Sequence, residues 1–134
     1  MSQRELTTKD YERLLEFRDG LRRFMHWSER QARDVGLTPA QHQLLLAIRG
    51  HDAAPSVGEV AEHLMLRHHS AVELVDRAEA AGLVLREPDE DDHRVIRLHL
   101  SERGQGLLAE LSSLHMEELS RLRGSLENLW QGLA

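Results

Sequence analysis

The residues best suited to chemistry lie in the segment 56–104, at the start of one predicted helix and at the tip of a predicted hairpin. Arg67-His68-His69-Ser70 occupies the helix start, and Asp92-His93-Arg94 lies in the hairpin tip. Amides at a helix N-terminus, together with Arg, His and Ser side chains, donate hydrogen bonds to phosphate oxygens and base edges. A loop arginine can enter the minor groove, where narrow walls concentrate negative potential. These residue types therefore predict contacts with both grooves of duplex DNA.

Local signals predict two short helices that would position the first cluster. Ser56-Val57-Gly58-Glu59 is a capping box and starts a helix that ends near Leu64. Met65 and Leu66 form the turn, a second helix covers residues 68–81, and Gly82 stops it in a left-handed conformation. This order predicts a helix-turn-helix, whose second helix reads the major groove. The DNA-binding residues expected in this unit are Ser56, Arg67, His68, His69, Ser70 and Arg77.

A hairpin, or wing, follows the second helix at once. Residues 83–86 and 95–100 are predicted as its strands, because Ile96, Leu98 and Leu100 recur at every second position. The polar connection 87–93 is long enough to project from the lobe. We expect Asp92 in this connection, and Arg94 directly after it, to belong to the DNA-binding site. Its other acidic residues are expected to point away from DNA or to shape the turn.

Two long helices are predicted to flank this lobe. Residues 8–35 carry an apolar stripe at three- and four-residue spacing. Ser101 caps a final helical region that reaches about residue 134 and is expected to break at Gly124. Both regions are too apolar on one side for the compact middle to cover, and exposed stripes of that kind usually mark an interface. We therefore expect a homodimer in which the chain ends pair across a two-fold axis.

The remaining helix completes a single mainly α domain. Thr38-Pro39-Ala40-Gln41 combines an N-cap, a proline at the first helical position and a capping box, and it opens a largely buried helix that Gly50 ends. The domain is predicted to cover residues 1–134. Within it, residues 1–36 and 101–134 are the dimerisation helices, and residues 37–100 are a winged helix-turn-helix lobe with one β-hairpin.

Composition and charge narrow the classes of function. The 134 residues suffice for one domain, and 40% hydrophobic with 30% charged residues suits a folded protein. The absence of cysteine excludes disulfides and thiolate metal sites. No apolar run reaches the roughly 20 residues that span a bilayer and no signal peptide is visible, so we expect a cytoplasmic protein without a membrane partner. The net charge of −6 opposes phosphate binding. Binding of nucleic acid therefore depends on whether the arginines gather on one face.

The order and spacing of these motifs resemble the MarR family of bacterial transcription regulators. Asp92-His93-Arg94, followed by Leu100-Ser101 and Gly104, is similar to the Asp-x-Arg, Leu-Thr/Ser and Gly of the family's wing. Further matching pieces are Leu37-Thr38-Pro39, Ala61-Glu62, Val75-Asp76-Arg77 and Ala81-Gly82-Leu83-Val84. The resemblance implies that Arg94 enters the minor groove and that Asp92 orients the loop. It also implies a ligand-responsive repressor that binds a pseudo-palindromic operator as a homodimer.

Three features depart from the family pattern. Arg67 stands where many members have Ser or Thr, so a cap of the recognition helix is missing. Glu73 stands where many carry Arg or Lys, which removes a phosphate contact and adds repulsion. The C-terminal region is short for the family, which bears on the size of the dimer layer.

The resemblance also implies a pocket between the terminal helices and the lobe for a small aromatic or anionic effector. The residues expected to line it are Phe24, Met25, Trp27, His42 and Leu45, with Arg49 as an anion partner. Plain core packing is the alternative for each of them. His42 and His115 could meet in such a fold, and Glu59 lies one turn from His63. Because zinc sites usually need three or four converging ligands, we expect no metal and no cofactor.

Two other classes of function have some support in the sequence. A protein-interaction module that kept the fold and lost DNA binding would fit the acidic balance and Glu73. Asp92, His93 and Ser101 are the residue types of a hydrolase triad, but no nucleophile elbow or oxyanion site accompanies them. We therefore expect a DNA-binding regulator that is not an enzyme and has no catalytic residues.

Overall fold

The computed structural model describes residues 4–131, with all side chains except those at positions 125 and 130. The described elements are α1 (Thr8–Asp34), α2 (Pro39–Arg49), α3 (Val57–Leu64), α4 (His68–Ala80), β1 (Val84–Pro88), β2 (Ile96–Leu100) and α5 (Glu102–Gln131). The two long helices α1 and α5 pack against each other, and α2 joins them to α3, α4 and the hairpin. The mainly α class with one β-hairpin is as predicted.

Capping boxes fix where three of the helices begin, and those of α2 and α3 are as the sequence predicts. In each capping box the cap hydroxyl accepts a bond from the amide three residues later, and that residue's side chain accepts one from the cap's own amide. The pairs are Thr7 with Asp10 for α1, Thr38 with Gln41 for α2 and Ser56 with Glu59 for α3. α4 differs, because Arg67 at its N-cap makes no side-chain cap bond. The departure expected at Arg67 is therefore present.

Two left-handed residues turn the chain before and after α4. Met65 ends α3 with a φ of 56°, and the amide of Leu66 then donates to the carbonyl of Ala61. Gly82 follows α4 with a φ of 76°, which suits glycine because it has no Cβ. α3, the turn and α4 form the predicted helix-turn-helix.

The core lies where α2 meets the other helices and the base of the hairpin. Its buried members are Ala32, Leu37, Leu44, Leu45, Ile48, Val60, Val75, Ala78, Leu83, Val84, Leu98, Leu100, Leu108 and Leu111. Leucine and valine dominate this core. Full burial of one such side chain contributes about 1.5–3 kcal/mol, so this cluster holds α4 and the wing base to α2 and α5.

The wing pairs β1 with β2 in antiparallel register, from Val84 opposite Leu100 to Pro88 opposite Ile96. β1 is longer than predicted at its C-terminal end, and Pro88 is tolerated there because an edge strand needs no outward N–H. β2 also contacts the chain before α3, where the amide of Leu98 donates to the carbonyl of Pro55 at 2.8 Å. The wing is thereby attached to the start of α3.

α5 is one helix across Glu102–Gln131, so the predicted break at Gly124 is wrong. Glycine costs about 1 kcal/mol relative to alanine in a helix interior, a cost that the flanking turns can offset. The predicted start is confirmed, because Ser101 Oγ accepts a bond from the amide of Gly104 at 3.0 Å. The predicted end at residue 134 lies outside the described residues. None of the helices described is long and apolar enough to cross a membrane.

Candidate nucleic-acid interface

Arg94 projects from the tip of the wing with its side chain 91% exposed. Asp92 holds it in place. Its Oδ1 accepts bonds from the Arg94 backbone amide at 3.1 Å and from Nε at 3.0 Å, and its Oδ2 accepts one from Nη2 at 3.3 Å. The side-chain bond from Arg94 is the main cause that lowers the pKa of Asp92 below its ordinary value. An ionised carboxylate therefore orients the guanidinium.

Asp89 shapes the turn from which this pair projects. Its Oδ2 accepts bonds from the backbone amides of Asp91 and Asp92 at 3.1 and 3.0 Å. Its Oδ1 accepts a bond from Arg97 Nε at 3.1 Å, and this bond is the main cause of the lowered pKa of Asp89. Shaping the turn was one of the two roles expected for the acidic residues of the connection.

Arg97 is a residue of the interface that sequence reasoning misses. Its Nη1 donates to Glu59 Oε1 at 3.1 Å and to the Ala54 carbonyl at 3.4 Å. The contact with Glu59 spans 38 positions of the chain, and no local pattern announces it. Arg97 thus joins the wing to the N-terminus of α3.

α4 begins at His68 and presents its first turn to solvent. Arg67, His68 and His69 are exposed, and Ser70 is half-buried. Further along the helix, Ala71, Val75 and Ala78 are buried in the core. The unpaired amides of a first helical turn carry partial positive charge that suits phosphate. The structure therefore brings these four predicted DNA-binding residues together at one solvent-facing helix end.

The other predicted DNA-binding residues have different surroundings. Arg77 is exposed further along α4, and so is Glu73 one turn before it. Ser56 is half-buried, and its hydroxyl caps α3 and donates to Glu59 Oε1 at 3.2 Å. Ser56 therefore has a structural role, and its contact with DNA stays a prediction.

Several residues expected at a ligand pocket meet where α1, α2 and α5 converge. The rings of Trp27 and His42 lie 4.7 and 4.9 Å from the ring of His115. Phe24 lies edge-on to the same ring at 5.9 Å. The expected approach of His42 and His115 is thus observed, and the cluster joins the terminal helices to the lobe.

The cluster contains polar groups, and two of its members, Ser28 and His42, are buried. Ser28 Oγ lies 2.7 Å from His115 Nε2, and the carbonyl of Leu111 lies 2.7 Å from Nδ1. His42 is only 4% exposed. Burial is the main cause that lowers the pKa of His42, and the positive charge that His115 would carry lowers it further. The cluster therefore favours a neutral His42 at pH 7.

A cleft of about 180 Å³ lies beside this cluster. Its lining residues are Met25, Ser28, Glu29, Pro39, Ala40, His42 and Gln43. Two of the expected pocket residues, Met25 and His42, line it, whereas the other four do not: Phe24, Trp27, Leu45 and Arg49. Leu45 is fully buried in the core, and Arg49 lines a different cleft at the base of the wing. Arg49 lies seven residues after His42, which is about 10 Å further along α2.

The structure does not assemble the other chemistry considered. Within residues 4–131 no group of three His, Asp or Glu residues is placed to hold a metal ion. Ser101 Oγ donates to the Gly82 carbonyl at 2.6 Å and caps α5, while Asp92 binds Arg94. Both residues therefore serve the helix cap and the wing.

Comparison with known proteins agrees with this geometry. Residues 35–95 match the family model described as MarR family. The HTH-type transcriptional repressor MdtR of Bacillus subtilis (strain 168) is 33% identical over 69 residues, which are 52% of this chain and 44% of that protein. The matched part thus spans less than half of the relative's length.

Solved structures share the fold over nearly the whole chain. A mutant of S. aureus MepR bound to an oligodeoxyribonucleotide has a TM-score of 0.72 at 19% identity, covering 97% of this chain and 100% of that one. Wild-type E. coli MarR in its apo form has a TM-score of 0.70 at 19% identity, covering 97% and 98%. At this identity the likeness shows a shared winged-helix fold. The segment that matches the family model carries α2, α3, α4 and the wing turn, so this part of the chain is similar to MarR-family proteins.

Proposed function

We propose that the chain is a sequence-specific regulator of transcription that binds duplex DNA. One observation carries the proposal: a single lobe presents both the first turn of α4, which has no side-chain cap, and an arginine held at the wing tip by Asp92. The first feature suits the major groove and the second the minor groove. Two similar proteins, the repressor MdtR and the MepR mutant bound to an oligodeoxyribonucleotide, support the same class.

The proposed complex assigns a role to each exposed group. His68, His69 and Ser70 donate to base edges and phosphates at the entrance of α4 to the major groove. Arg67 and Arg77 bind phosphates on either side. Arg94 enters the minor groove, because a guanidinium is weakly hydrated and loses little on entering a narrow groove of negative potential.

The proposed homodimer rests on apolar side chains that the chain leaves exposed on α1 and α5. They are Tyr11, Leu14, Leu15, Leu21, Met25, Met116, Leu119 and Leu126. Two open clefts of about 440 and 630 Å³ lie between the two helices in the same region. Contiguous apolar surface of this kind usually marks a protein interface. A two-fold axis through it would set two α4 helices in successive major grooves, about 10 base pairs apart.

We further propose that a small aromatic or anionic effector relieves repression by binding in the cleft beside His42. The cleft is smaller than the roughly 300 Å³ at which drug-sized pockets begin, so it suits a single small ring. His42 and Ser28 bring polar groups to the lining of this cleft, which is typical of residues that orient a ligand. An occupant between α1 and α2 would rotate the lobe against the terminal helices. DNA demands a fixed spacing of the two lobes, so a small rotation lowers affinity without altering any base contact.

Duplex binding by Arg94→Ala tests the proposal. Operator sequences are first selected from a random duplex pool with the wild-type chain, and Kd is then measured at several salt concentrations. Arg94→Ala should weaken binding about ten-fold and lower the salt slope by about one. Arg22→Ala, which removes an arginine paired with Asp19 on α1, is the matched control and should bind like wild type. Equal affinity and slope for Arg94→Ala would remove the wing from the mechanism.

A protein-interaction module without DNA binding is the second candidate. It is favoured by the net charge of −6 and by the exposed Glu73 on the outer face of α4. Failure of the wild-type chain to select any duplex at low salt would raise this candidate to first place. In that case the same exposed face of α4 would be the surface to test for a protein partner.

A further inference from the structure

One side chain, that of Arg97, contacts three separate parts of the lobe. Nε donates to Asp89 Oδ1 in the wing turn at 3.1 Å, and Nη1 donates to Glu59 Oε1 in α3 at 3.1 Å. Nη1 also approaches the carbonyl of Ala54 at 3.4 Å, and the backbone of Arg97 forms a bridge with Ser56. The wing turn and the start of α3 are therefore connected through a single guanidinium.

Each of the two carboxylates is also bound on its far side. Asp89 holds the amide of Asp92 at 3.0 Å, and Asp92 in turn holds Arg94. Glu59 accepts the amide of Ser56 at 3.3 Å as part of the α3 capping box. A continuous set of hydrogen bonds therefore runs from the start of α3 through Arg97 to the arginine at the wing tip.

We propose that Arg97 is a positioning residue that fixes Arg94 relative to α4, and so sets the distance between the minor-groove and major-groove contacts. The proposal rests on the proposed DNA binding. A two-stranded hairpin is marginally stable by itself, so the direction of its tip depends on its contacts with the helices. The planar fork of arginine bonds two carboxylates in different directions, which a lysine ammonium does not reproduce.

For Asp89→Ala, the change in charge and the loss of positioning predict opposite effects on DNA affinity, and this difference provides the test. Asp89→Ala removes a negative charge from the DNA-facing wing, and electrostatics alone would tighten binding. If Arg97 and Asp89 position the wing, Asp89→Ala weakens binding roughly ten-fold instead, as does Arg97→Met. Glu90→Ala is the matched control, because it removes the same charge from an exposed neighbour and should bind as well as wild type or slightly tighter. Equal or tighter binding by Asp89→Ala overturns the proposal.

A double-mutant cycle separates positioning from a direct DNA contact by Arg97. When Arg94 is already alanine, Arg97→Met should cause less than a two-fold further loss of affinity, because the group that it positions is gone. Arg97→Lys, which keeps the charge and loses the fork, should recover only part of the wild-type affinity. A full ten-fold further loss in the double variant would make Arg97 a phosphate contact and overturn the positioning role.

Amide hydrogen exchange in the free protein gives a readout that needs no DNA. In Arg97→Met the amides of Asp91 and Asp92, which donate to Asp89, should exchange faster than in wild type, while the buried amides of α2 should not change. Unchanged exchange at Asp91 and Asp92 overturns the proposal whatever the binding data show. If the wild-type chain selects no duplex, the proposed function fails by itself, and the exchange result still decides whether Arg97 fixes the wing.

Discussion

Two glycines in the first turns of α5 should respond to alanine in opposite ways. A Cβ at Gly104 would lie 2.2 Å from the carbonyl oxygen of Leu83 and 3.2 Å from its carbonyl carbon, whereas a Cβ at Gly106 would meet nothing within 4 Å. Gly104 is buried, and Gly106 is exposed. The two substitutions add the same methyl group to the same helix, so their difference isolates the close approach of α5 to the base of the wing.

The size of the destabilisation expected for Gly104→Ala follows from the packing and hydrogen bonding of Leu83. To relieve the clash, the backbone at Leu83 must move by about 1 Å. Leu83 is only 1% exposed, and its carbonyl accepts a hydrogen bond from the Ser101 amide at 2.9 Å. Overpacking costs about 1–3 kcal/mol and a lost hydrogen bond about 1 kcal/mol, so Gly104→Ala should lower the free energy of unfolding by about 2–4 kcal/mol. Gly106→Ala should raise it by up to about 1 kcal/mol, because alanine favours helix.

Thermal unfolding followed by circular dichroism measures the difference. At this chain length 1 kcal/mol corresponds to roughly 3–5 °C in Tm, so Gly104→Ala should melt roughly 6–20 °C below wild type and Gly106→Ala slightly above it. All three proteins are compared at one concentration, because self-association makes Tm depend on it. A Gly104→Ala protein that melts within about 2 °C of wild type would refute the close approach of Gly104 to Leu83.

Three further predictions concern other parts of the chain. Met65 is 92% exposed at a φ of 56°, so Met65→Gly should relieve left-handed strain and raise the free energy of unfolding by about 0.5–1 kcal/mol, and a lower Tm would contradict this. His42 has a lowered pKa in the fold, so the folded chain binds fewer protons than the unfolded chain, and stability should fall as pH drops below about 6.5. His42→Gln should show a flatter profile between pH 7.5 and 5 in urea unfolding, and an equal slope would count against the assignment. Leu119→Arg should convert a dimer to a monomer in sedimentation, whereas Leu85→Arg, on an equally exposed leucine of β1, should not; matching behaviour of the two would remove α5 from the interface.

Local signals made much of the fold predictable from the sequence. The predicted capping boxes of α2 and α3 involve residues three positions apart, and Gly82 stops α4 within one turn, so a reading of neighbouring residues suffices. The pairing of Asp92 with Arg94 is equally local. The predicted break at Gly124 is wrong because the prediction considered one residue and not the stability of the whole helix. One glycine shifts the helix balance by about 1 kcal/mol, which the rest of a long helix can outweigh.

The part of the site that could not be predicted depends on long-range contacts. Arg97 occupies a strand position whose alternation indicates a solvent-facing side chain, yet its partner Glu59 lies 38 positions earlier. Ser28 and His115 lie 87 positions apart and meet because α1 and α5 pack together. Such pairs form because whole helices and strands pack together, and the local sequence around each residue does not identify its partner.

The net charge of −6 is a poor guide to how this lobe would meet DNA, because acids near the candidate interface are bound by neighbouring arginines. Asp92 binds Arg94, Asp89 binds Arg97, and Asp76 binds Arg86. Exposed ion pairs of this kind add little stability, so their main effect is to orient the arginine side chains. An arginine already held by a carboxylate loses less side-chain freedom when it reaches a phosphate or a groove. Nη1 of Arg94 has no hydrogen-bond partner among the described residues, so the guanidinium can bind DNA while Asp92 still orients it. The acids of the wing therefore reduce long-range attraction and at the same time improve the geometry of the contact.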